Sequence, residues 1–351
     1  MSKIRNRSIP LHGFKNSEFF KKKAKKVVCY RYGMALEFPM LSKFKLILFS
    51  GVNGPLGYAL ESLTSGDSRF VGFSSTECDL RNQDKTIMYL RDKIGNLEPS
   101  SVALIHLAAK SGGALFSQNY PSTVFVDNIQ MAINSLTACR ELGIRRVILT
   151  LSTACYADTL TSPTEDKLHE GSIHSIDYAY AYSKRMQEVL MRSFNKEFSM
   201  EISSVLVNGI VGPKMKFDTG QSILPASLIR DLAVAKKTEI PLRVPFDNRV
   251  RREYSYSFDL ARAILWCLES QESNTLLNIG NTIATSIPEL TRLIAKALQS
   301  PDELISLEDI PIATRLVQST SNSEFLKLSN FKYTPLEEAI QRAVEWYLGS
   351  A

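Results

Sequence analysis

The chain has 351 residues, of which 44% are hydrophobic and 22% charged, a balance typical of soluble globular proteins. No apolar run is long enough to span a bilayer, and the five cysteines are widely spaced, which argues against a membrane span, a disulfide framework and a zinc site. We therefore expect a cytoplasmic protein with free thiols and no bound metal.

Positive charge is concentrated at the N-terminus. Residues 1–45 hold twelve Lys and Arg against two Glu, whereas the net charge of the whole chain is only +6, so the remainder is mildly acidic. A basic run can contact nucleic acid or an anionic surface, but no nucleic-acid motif accompanies this one. We predict that residues 1–43 form a flexible or partly helical extension, and we expect neither a nucleic-acid partner nor membrane insertion.

A glycine-rich loop follows the first strand pattern. Residues 45–49 are an apolar run that predicts a buried parallel strand, and residues 58–63 predict a helix. Between them lies a G-x-x-G-x-x-G loop, in which backbone N–H groups at the helix start can face a pyrophosphate. The alternative is an ordinary glycine-rich turn. The strand and helix on either side favour dinucleotide binding by this loop, through Gly51, Asn53, Gly54, Leu56 and Gly57.

The end of the second predicted strand, residues 69–73, bears on cofactor choice. Folds that prefer NAD place an Asp or Glu there to bind the ribose 2′-hydroxyl, but here Ser74, Ser75 and Thr76 follow. Their hydroxyls suit a 2′-phosphate, which favours NADP(H), and the nearby Glu77 leaves NAD(H) open. Asp79 can accept a hydrogen bond from the adenine amino group, or it simply caps a turn.

The next segments complete an alternating pattern of strands and helices. Residues 102–109 predict a buried strand that ends in small side chains, with His106 inside its apolar run as a core residue. Residues 111–113 predict a mobile loop at the substrate, residues 124–142 a helix, and residues 145–151 another buried strand. Strands that alternate with helices predict a doubly wound parallel sheet.

Two segments supply groups for proton chemistry. Ser152 and Thr153 follow a predicted strand at its carboxyl end, where open α/β sheets bind ligands. Tyr180 and Lys184 are four residues apart on a predicted helix and so share one face. A neighbouring ammonium lowers the pKa of a phenol, which makes Tyr180 a candidate general acid and base. The alternative is an amphipathic helix with a packed Tyr and a solvated Lys.

Together these motifs resemble the extended short-chain dehydrogenase/reductase superfamily of NAD(P)-dependent sugar-nucleotide epimerases, dehydratases and reductases. Within it, the chain is most similar to the GDP-L-fucose synthases. The similarity runs from about residue 44 to the C-terminus, and its motifs are His106-Leu-Ala-Ala-Lys-Ser-Gly-Gly113, Leu151-Ser-Thr153, Tyr178-Ala-Tyr-Ala-Tyr-Ser-Lys-Arg-Met186 and Arg251-Arg-Glu-Tyr-Ser-Tyr-Ser-Phe-Asp-Leu-Ala261.

The resemblance implies a fold and a partner. The fold is α/β, with a Rossmann-type doubly wound parallel sheet and a smaller C-terminal α/β substrate lobe. Residues 44–205 would bind the cofactor, and residues 206–351 would bind the substrate and send segments back to the Rossmann core. The substrate would be a nucleotide-sugar, and the protein would form a homodimer.

The resemblance also implies roles for individual residues. The three loop glycines would bind the cofactor pyrophosphate, Lys184 the nicotinamide ribose, and Thr153 the reacting sugar oxygen. Two arginines, Arg230 and Arg252, would contact the substrate phosphates. The remaining cofactor contacts would be Asp79 and Leu80 at the adenine, and Leu107, Ala108 and Ala109 at the adjacent ribose and phosphate.

The departures from the resemblance narrow the expected chemistry. GDP-L-fucose synthases epimerise two carbons with a Cys/His pair before they reduce a ketone, but Ala154 stands at the Cys position and no histidine follows Lys184. Cys155, one residue further on, is expected to be a packed thiol. We therefore predict a 4-ketohexose reductase. A C4 epimerase that uses bound cofactor and a non-catalytic nucleotide-binding protein are the alternatives.

Overall fold

A computed structural model describes residues 39–350, except residues 219, 271–273, 312–315 and 317–318. The predicted basic extension lies outside the described residues up to residue 38. Its last part, Pro39–Lys43, forms a 3-10 turn in which Leu41 is buried. In the part of the chain that is described, no helix is both long and apolar enough to cross a membrane.

Six parallel strands form the central sheet, which confirms the predicted Rossmann-type α/β fold. The strand order is β2-β1-β3-β4-β5-β9, so β2 lies on one side of β1, and the four later strands follow one another on the other side. The strands are β1 (Leu46–Ser50), β2 (Phe70–Phe73), β3 (Val102–His106), β4 (Arg146–Ser152), β5 (Glu201–Val207) and β9 (Leu276–Asn278).

Helices cover both faces of this sheet, because its strands are apolar on both sides. Ile47 and Phe49 of β1 pack into one core cluster, whereas Leu46 and Leu48 pack into the other. The helices that accompany the large sheet are α1 (Pro55–Leu63), α2 (Gln83–Ile94), α3 (Gly113–Asn119), α4 (Pro121–Glu141), α5 (Tyr178–Phe198) and α7 (Ser257–Glu269).

The second half of the chain adds two smaller sheets. One has the order β10-β8-β6 and the other pairs β11 with β7. The strands are β6 (Gly209–Val211), β7 (Leu242–Phe246), β8 (Arg251–Tyr256), β10 (Ala284–Ser286) and β11 (Ile305–Asp309), and the helices are α6 (Leu224–Thr238), α8 (Ile287–Leu298), α9 (Ser323–Ser329) and α10 (Leu336–Ser350). Strand β9 comes from this half and pairs with β5. The functional division between residues 44–205 and 206–351 stays a prediction.

Two local features differ from the expectations. Helix α1 begins at Pro55, three residues earlier than predicted, because a proline at the first helical position has its φ angle already set and lacks only an N–H that would be unbonded there. The stretch predicted as a mobile loop at residues 111–113 leads directly into α3, which begins at Gly113.

Candidate active site

Two glycines of the loop, Gly51 and Gly57, lie where a side chain would collide with backbone atoms. Gly51 has φ +78°, and its carbonyl oxygen accepts a hydrogen bond from the N–H of Gly54 at 3.0 Å. A Cβ on Gly57 would lie 2.2 Å from the oxygen of Gly51, and a Cβ on Gly51 would lie 3.0 Å from the N atom of Ala108. The loop therefore presents bare backbone at the start of α1, which fits a bound pyrophosphate.

A cavity of about 460 Å³ opens beside this loop at the carboxyl ends of the parallel strands. This is the point where strand order reverses, the usual ligand site of open α/β sheets. The cavity brings together most of the predicted cofactor and catalytic residues. They are Gly51, Asn53, Gly54, Leu56, Gly57, Ser74, Ser75, Asp79, Leu80, Leu107, Ala108, Ala109, Tyr180 and Lys184.

One buried hydroxyl holds the segment after β3 beside the glycine loop. The Oγ atom of Ser50, at the end of β1, accepts hydrogen bonds from the N–H groups of Leu107 at 3.2 Å and Ala108 at 3.1 Å. Asn128 holds the next residues, because its side chain bonds both the N–H and the carbonyl of Lys110. The small residues that follow β3 are thus held beside the glycine loop.

At the far end of the cavity, the serines after β2 already have a carboxylate partner. Glu77 accepts hydrogen bonds from the N–H of Ser74 at 2.9 Å and from its hydroxyl at 3.0 Å. Ser74 also shares a hydrogen bond with Thr76. The three hydroxyls predicted to suit a 2′-phosphate therefore lie next to an exposed negative charge, which favours a 2′-hydroxyl more than the sequence alone indicated.

Arg81, which no sequence motif indicated, supplies a positive charge at the same end. It lines the cavity and forms ion pairs with Asp79 at 2.7 Å and Asp127 at 3.4 Å. The hydrogen bond from Arg81 lowers the pKa of Asp79 to about 2. Asp79 is therefore ionised at neutral pH, and its carboxylate can accept a hydrogen bond from the amino group of an adenine.

Tyr180 and Lys184 lie at the opposite end of the cavity, on the first turns of α5. Lys184 is only 1% exposed, and its Nζ atom donates to the carbonyl of Thr150 at 2.8 Å and to Oε1 of Gln187 at 3.4 Å. Burial of the ammonium lowers the pKa of Lys184 to about 8. The side chain is thus held rigidly and its ammonium stays largely charged at neutral pH.

The pKa of Tyr180 moves in the opposite direction from the prediction. Burial of the phenol raises its pKa above the ordinary value, Cys155 raises it further, and a hydrogen bond with Ser152 lowers it by less. The ammonium of Lys184 is directed to Thr150 and Gln187 and not to the phenol. Tyr180 is therefore kept as a neutral phenol, which suits a group that gives up a proton.

Of the two hydroxyls at the end of β4, that of Ser152 is the one beside Tyr180. It bonds the phenol and also accepts from the N–H of Ala154 at 3.2 Å. Neither Ser152 nor Thr153 lines the cavity, and Thr153 is only 1% exposed. Contact of either hydroxyl with a reacting oxygen stays a prediction.

His106 and Cys155 are both buried, as predicted. His106 has no exposed surface, its Nδ1 atom lies 3.2 Å from the hydroxyl of Ser135, and burial lowers its pKa to about 3. The Sγ atom of Cys155 donates to the carbonyl of Ala181 at 3.4 Å. Both are core residues.

The two arginines predicted to bind substrate phosphates do not line the cavity. Arg230 pairs with Asp231 at 2.7 Å and donates to the carbonyl of Phe217 and the hydroxyl of Ser222. Arg252 donates to the carbonyls of Arg251 and Leu316. Their role as substrate ligands stays a prediction.

Two lysines at the open part of the cavity were also missed. Lys110 follows the small residues after β3, and Lys216 lies on the loop between β6 and α6. Lys110 belongs to the motif His106–Gly113, so its position in that motif could have indicated that it lies beside the cofactor residues. Lys216 has no such motif around it.

The sequence and the structure both match known proteins. Residues 47–280 match the sequence model of the NAD dependent epimerase/dehydratase family. A GDP-L-fucose synthase of Dictyostelium discoideum is 28% identical over 313 residues, which are 87% of this chain and 95% of that protein. A dTDP-4-dehydro-6-deoxy-D-allose reductase of a Streptomyces species is 25% identical over 255 residues, which are 72% of this chain and 76% of that protein. The structure of a Naegleria fowleri GDP-L-fucose synthetase bound to NADP superposes with a TM-score of 0.77 at 29% sequence identity. The superposition covers 87% of this chain and 92% of that protein.

Proposed function

Because the chain belongs to the NAD dependent epimerase/dehydratase family, we propose that it is an NADP(H)-dependent reductase of a 4-keto hexose carried on a nucleoside diphosphate. The observation that carries the proposal is one cavity with a bare glycine loop at one end and the Tyr180/Lys184 pair at the other. The names of the relatives, which are sugar-nucleotide synthases and reductases, support the substrate class.

The residues present fit a nicotinamide dinucleotide. The glycine loop would hold the pyrophosphate, Asp79 and Leu80 the adenine, and Lys184 the nicotinamide ribose. When bound, the nicotinamide supplies a hydride. NADP(H) is proposed over NAD(H) because a structural relative holds NADP.

The neighbouring carboxylate of Glu77 gives a test of this choice. We expect Glu77→Gln to tighten NADPH binding about fivefold and to leave NADH binding unchanged, because removing an exposed like charge is worth roughly 1 kcal/mol to a 2′-phosphate. Fluorescence titration of both cofactors measures the effect. Glu98→Gln, which removes an exposed carboxylate elsewhere, is the control. An equal change for both cofactors would contradict a 2′-phosphate at this place.

In the proposed step, the protein's own groups supply and orient the proton that the ketone oxygen takes up. Tyr180 would give its phenolic proton to that oxygen. The hydroxyl of Ser152 lies next to the phenol and would orient it. Lys184, whose ammonium is anchored on the carbonyl of Thr150, would hold the nicotinamide ribose. A neutral phenol at the start suits reduction better than oxidation.

Deuterium incorporation distinguishes this reduction from epimerisation. A GDP-linked 4-keto-6-deoxyhexose and a dTDP-linked one are incubated with NADPH in deuterated water, and an enzyme-free sample corrects for spontaneous exchange. We expect NADPH oxidation with no enzyme-dependent deuterium on carbon, because Ala154 stands at the Cys position of the Cys/His pair and no histidine follows Lys184. Deuterium beside the former ketone would indicate an epimerase. NADPH that binds and is never oxidised would indicate a non-catalytic protein.

The proposal includes a cytoplasmic homodimer. Large apolar side chains are exposed on the outer faces of α4 and α5, which pack against each other. They are Phe125 at 36%, Val126 at 56%, Tyr178 at 54% and Val189 at 42%. Such a patch on two adjacent helices suits a second copy of the same pair.

A further inference from the structure

Lys216 is a charged group in the cavity that neither the sequence motifs nor the proposed mechanism uses. It lies on the loop between β6 and α6 and lines the cavity together with Tyr180 and Lys184. Its Nζ atom donates to the carbonyl of Ser111 at 3.1 Å and to Oε1 of Gln221 at 3.0 Å. The ammonium thus joins the segment after β3 to the segment before α6, at the open part of the cavity.

The ammonium of Lys216 is only partly compensated by its surroundings. Both of its hydrogen-bond acceptors are neutral oxygens, and an ammonium has three N–H donors. Partial burial lowers its pKa, the carboxylate of Asp218 raises it, and the like charge of Lys110 lowers it by less. Two lysines at one cavity favour a ligand that brings oxygen atoms with negative charge.

Arg230, in contrast, lies on α6 and is already engaged. It pairs with Asp231, and its other bonds go to Phe217 and Ser222, so it ties the helix to the preceding loop. Lys216 lies on that loop itself and lines the cavity.

We propose that Lys216 binds the substrate, donating a hydrogen bond to an oxygen of the sugar-phosphate part and so holding the sugar toward Tyr180. This inference rests on the proposed sugar-nucleotide reductase. Lys216 is then a positioning residue as well, because the same ammonium holds Ser111 and Gln221 in place.

Three variants test the proposal on the full chain. Lys216→Met removes the charge, Lys216→Arg keeps it, and Lys214→Met removes an exposed charge two residues away on the same loop. NADPH affinity is measured by fluorescence, and KM and kcat are measured with a GDP-linked 4-keto-6-deoxyhexose. We expect Lys216→Met to raise KM 10- to 100-fold, the range for a lost charged hydrogen bond, and to leave NADPH affinity within twofold. Lys216→Arg should recover most of the loss, and Lys214→Met should match the unmodified protein.

The pH dependence of KM distinguishes a lysine that binds the substrate from one that only connects two segments of the chain. The ammonium must be protonated to bind, so KM of the unmodified protein should rise in alkaline solution, earlier than for an ordinary lysine. Lys216→Arg, which stays charged, should lack this rise. The groups Lys110, Asp218, Tyr180 and Lys184 are common to both proteins and cancel in the comparison.

The outcomes are distinct for the two proposals. A KM of Lys216→Met within twofold of the unmodified protein, or an equal loss of NADPH affinity, overturns the role of Lys216 and leaves the reductase standing. An unmodified protein that binds NADPH but reduces neither the GDP-linked nor the dTDP-linked ketone overturns both.

Discussion

Replacing Tyr180 with Phe is expected to lower kcat by about 10³-fold, within the range for loss of a general acid. The change removes one oxygen atom and keeps the ring that packs beside Ala154, Ile173 and Ala181. The glycine loop and the Asp79 end of the cavity are untouched, so NADPH affinity should change less than threefold. Stopped-flow measurement of NADPH oxidation and fluorescence titration of NADPH provide the two numbers.

Tyr178→Phe is the matched control for this prediction. It removes the same phenolic oxygen two residues away on α5, from a side chain that is 54% exposed. We expect its kcat to stay within twofold of the unmodified protein. Full activity in Tyr180→Phe would exclude the phenol as the proton donor, and a large loss of NADPH binding would show that the ring is needed for the cofactor instead.

The proton state of Tyr180 shows where sequence reasoning about the site fails. Spacing along a helix correctly placed Tyr180 and Lys184 at one cavity. It could not tell that the ammonium is directed to a strand carbonyl, or that burial raises the pKa of the phenol. Burial is set by the packing of several elements, and a pair of residues in sequence carries no information about it.

Features of this chain that depend on neighbouring residues could be predicted, and features that depend on residues far apart in the sequence could not. The glycine loop and its flanking strand and helix form one continuous segment, residues 46–63, so they were predicted almost completely. Lys216 meets Ser111 across 105 positions, and Arg81 meets Asp127 across 46. No local pattern predicts such contacts. The small α/β lobe was expected only through the family resemblance, because its strands are short and pair across long separations.

The engagement of Arg230 is more local. Asp231 is the next residue in the sequence, and the other two acceptors, Phe217 and Ser222, lie 13 and 8 positions earlier on the preceding loop. Whether an arginine is free for a ligand depends on which acceptors the fold brings to it. The family resemblance could supply the position but not those acceptors.

Replacing Gly57 with Ala is expected to weaken NADPH binding at least 100-fold. The new Cβ would lie 2.2 Å from the oxygen of Gly51 and 2.6 Å from the Cα atom of Val52, and both are backbone atoms that cannot rotate away. The loop must therefore move, and its N–H groups would no longer converge on a pyrophosphate. Overpacking of this kind costs about 1 to 3 kcal/mol of folding free energy, which urea unfolding measures.

Alanine substitutions at two other glycines distinguish distortion of the glycine loop from the general effect of adding a methyl group. Gly349, near the end of α10, has no atom within 4 Å of the added Cβ, so Gly349→Ala should leave both folding and NADPH binding unchanged. Gly54 has φ −87°, and its added Cβ would meet only the oxygen of Gly51 at 3.5 Å, so Gly54→Ala should fold normally. Any loss of NADPH affinity in Gly54→Ala then reports how closely the ligand approaches that backbone. Unchanged NADPH affinity in Gly57→Ala would mean that the cofactor does not bind at this loop, because no arrangement of the loop keeps its present geometry with the extra methyl.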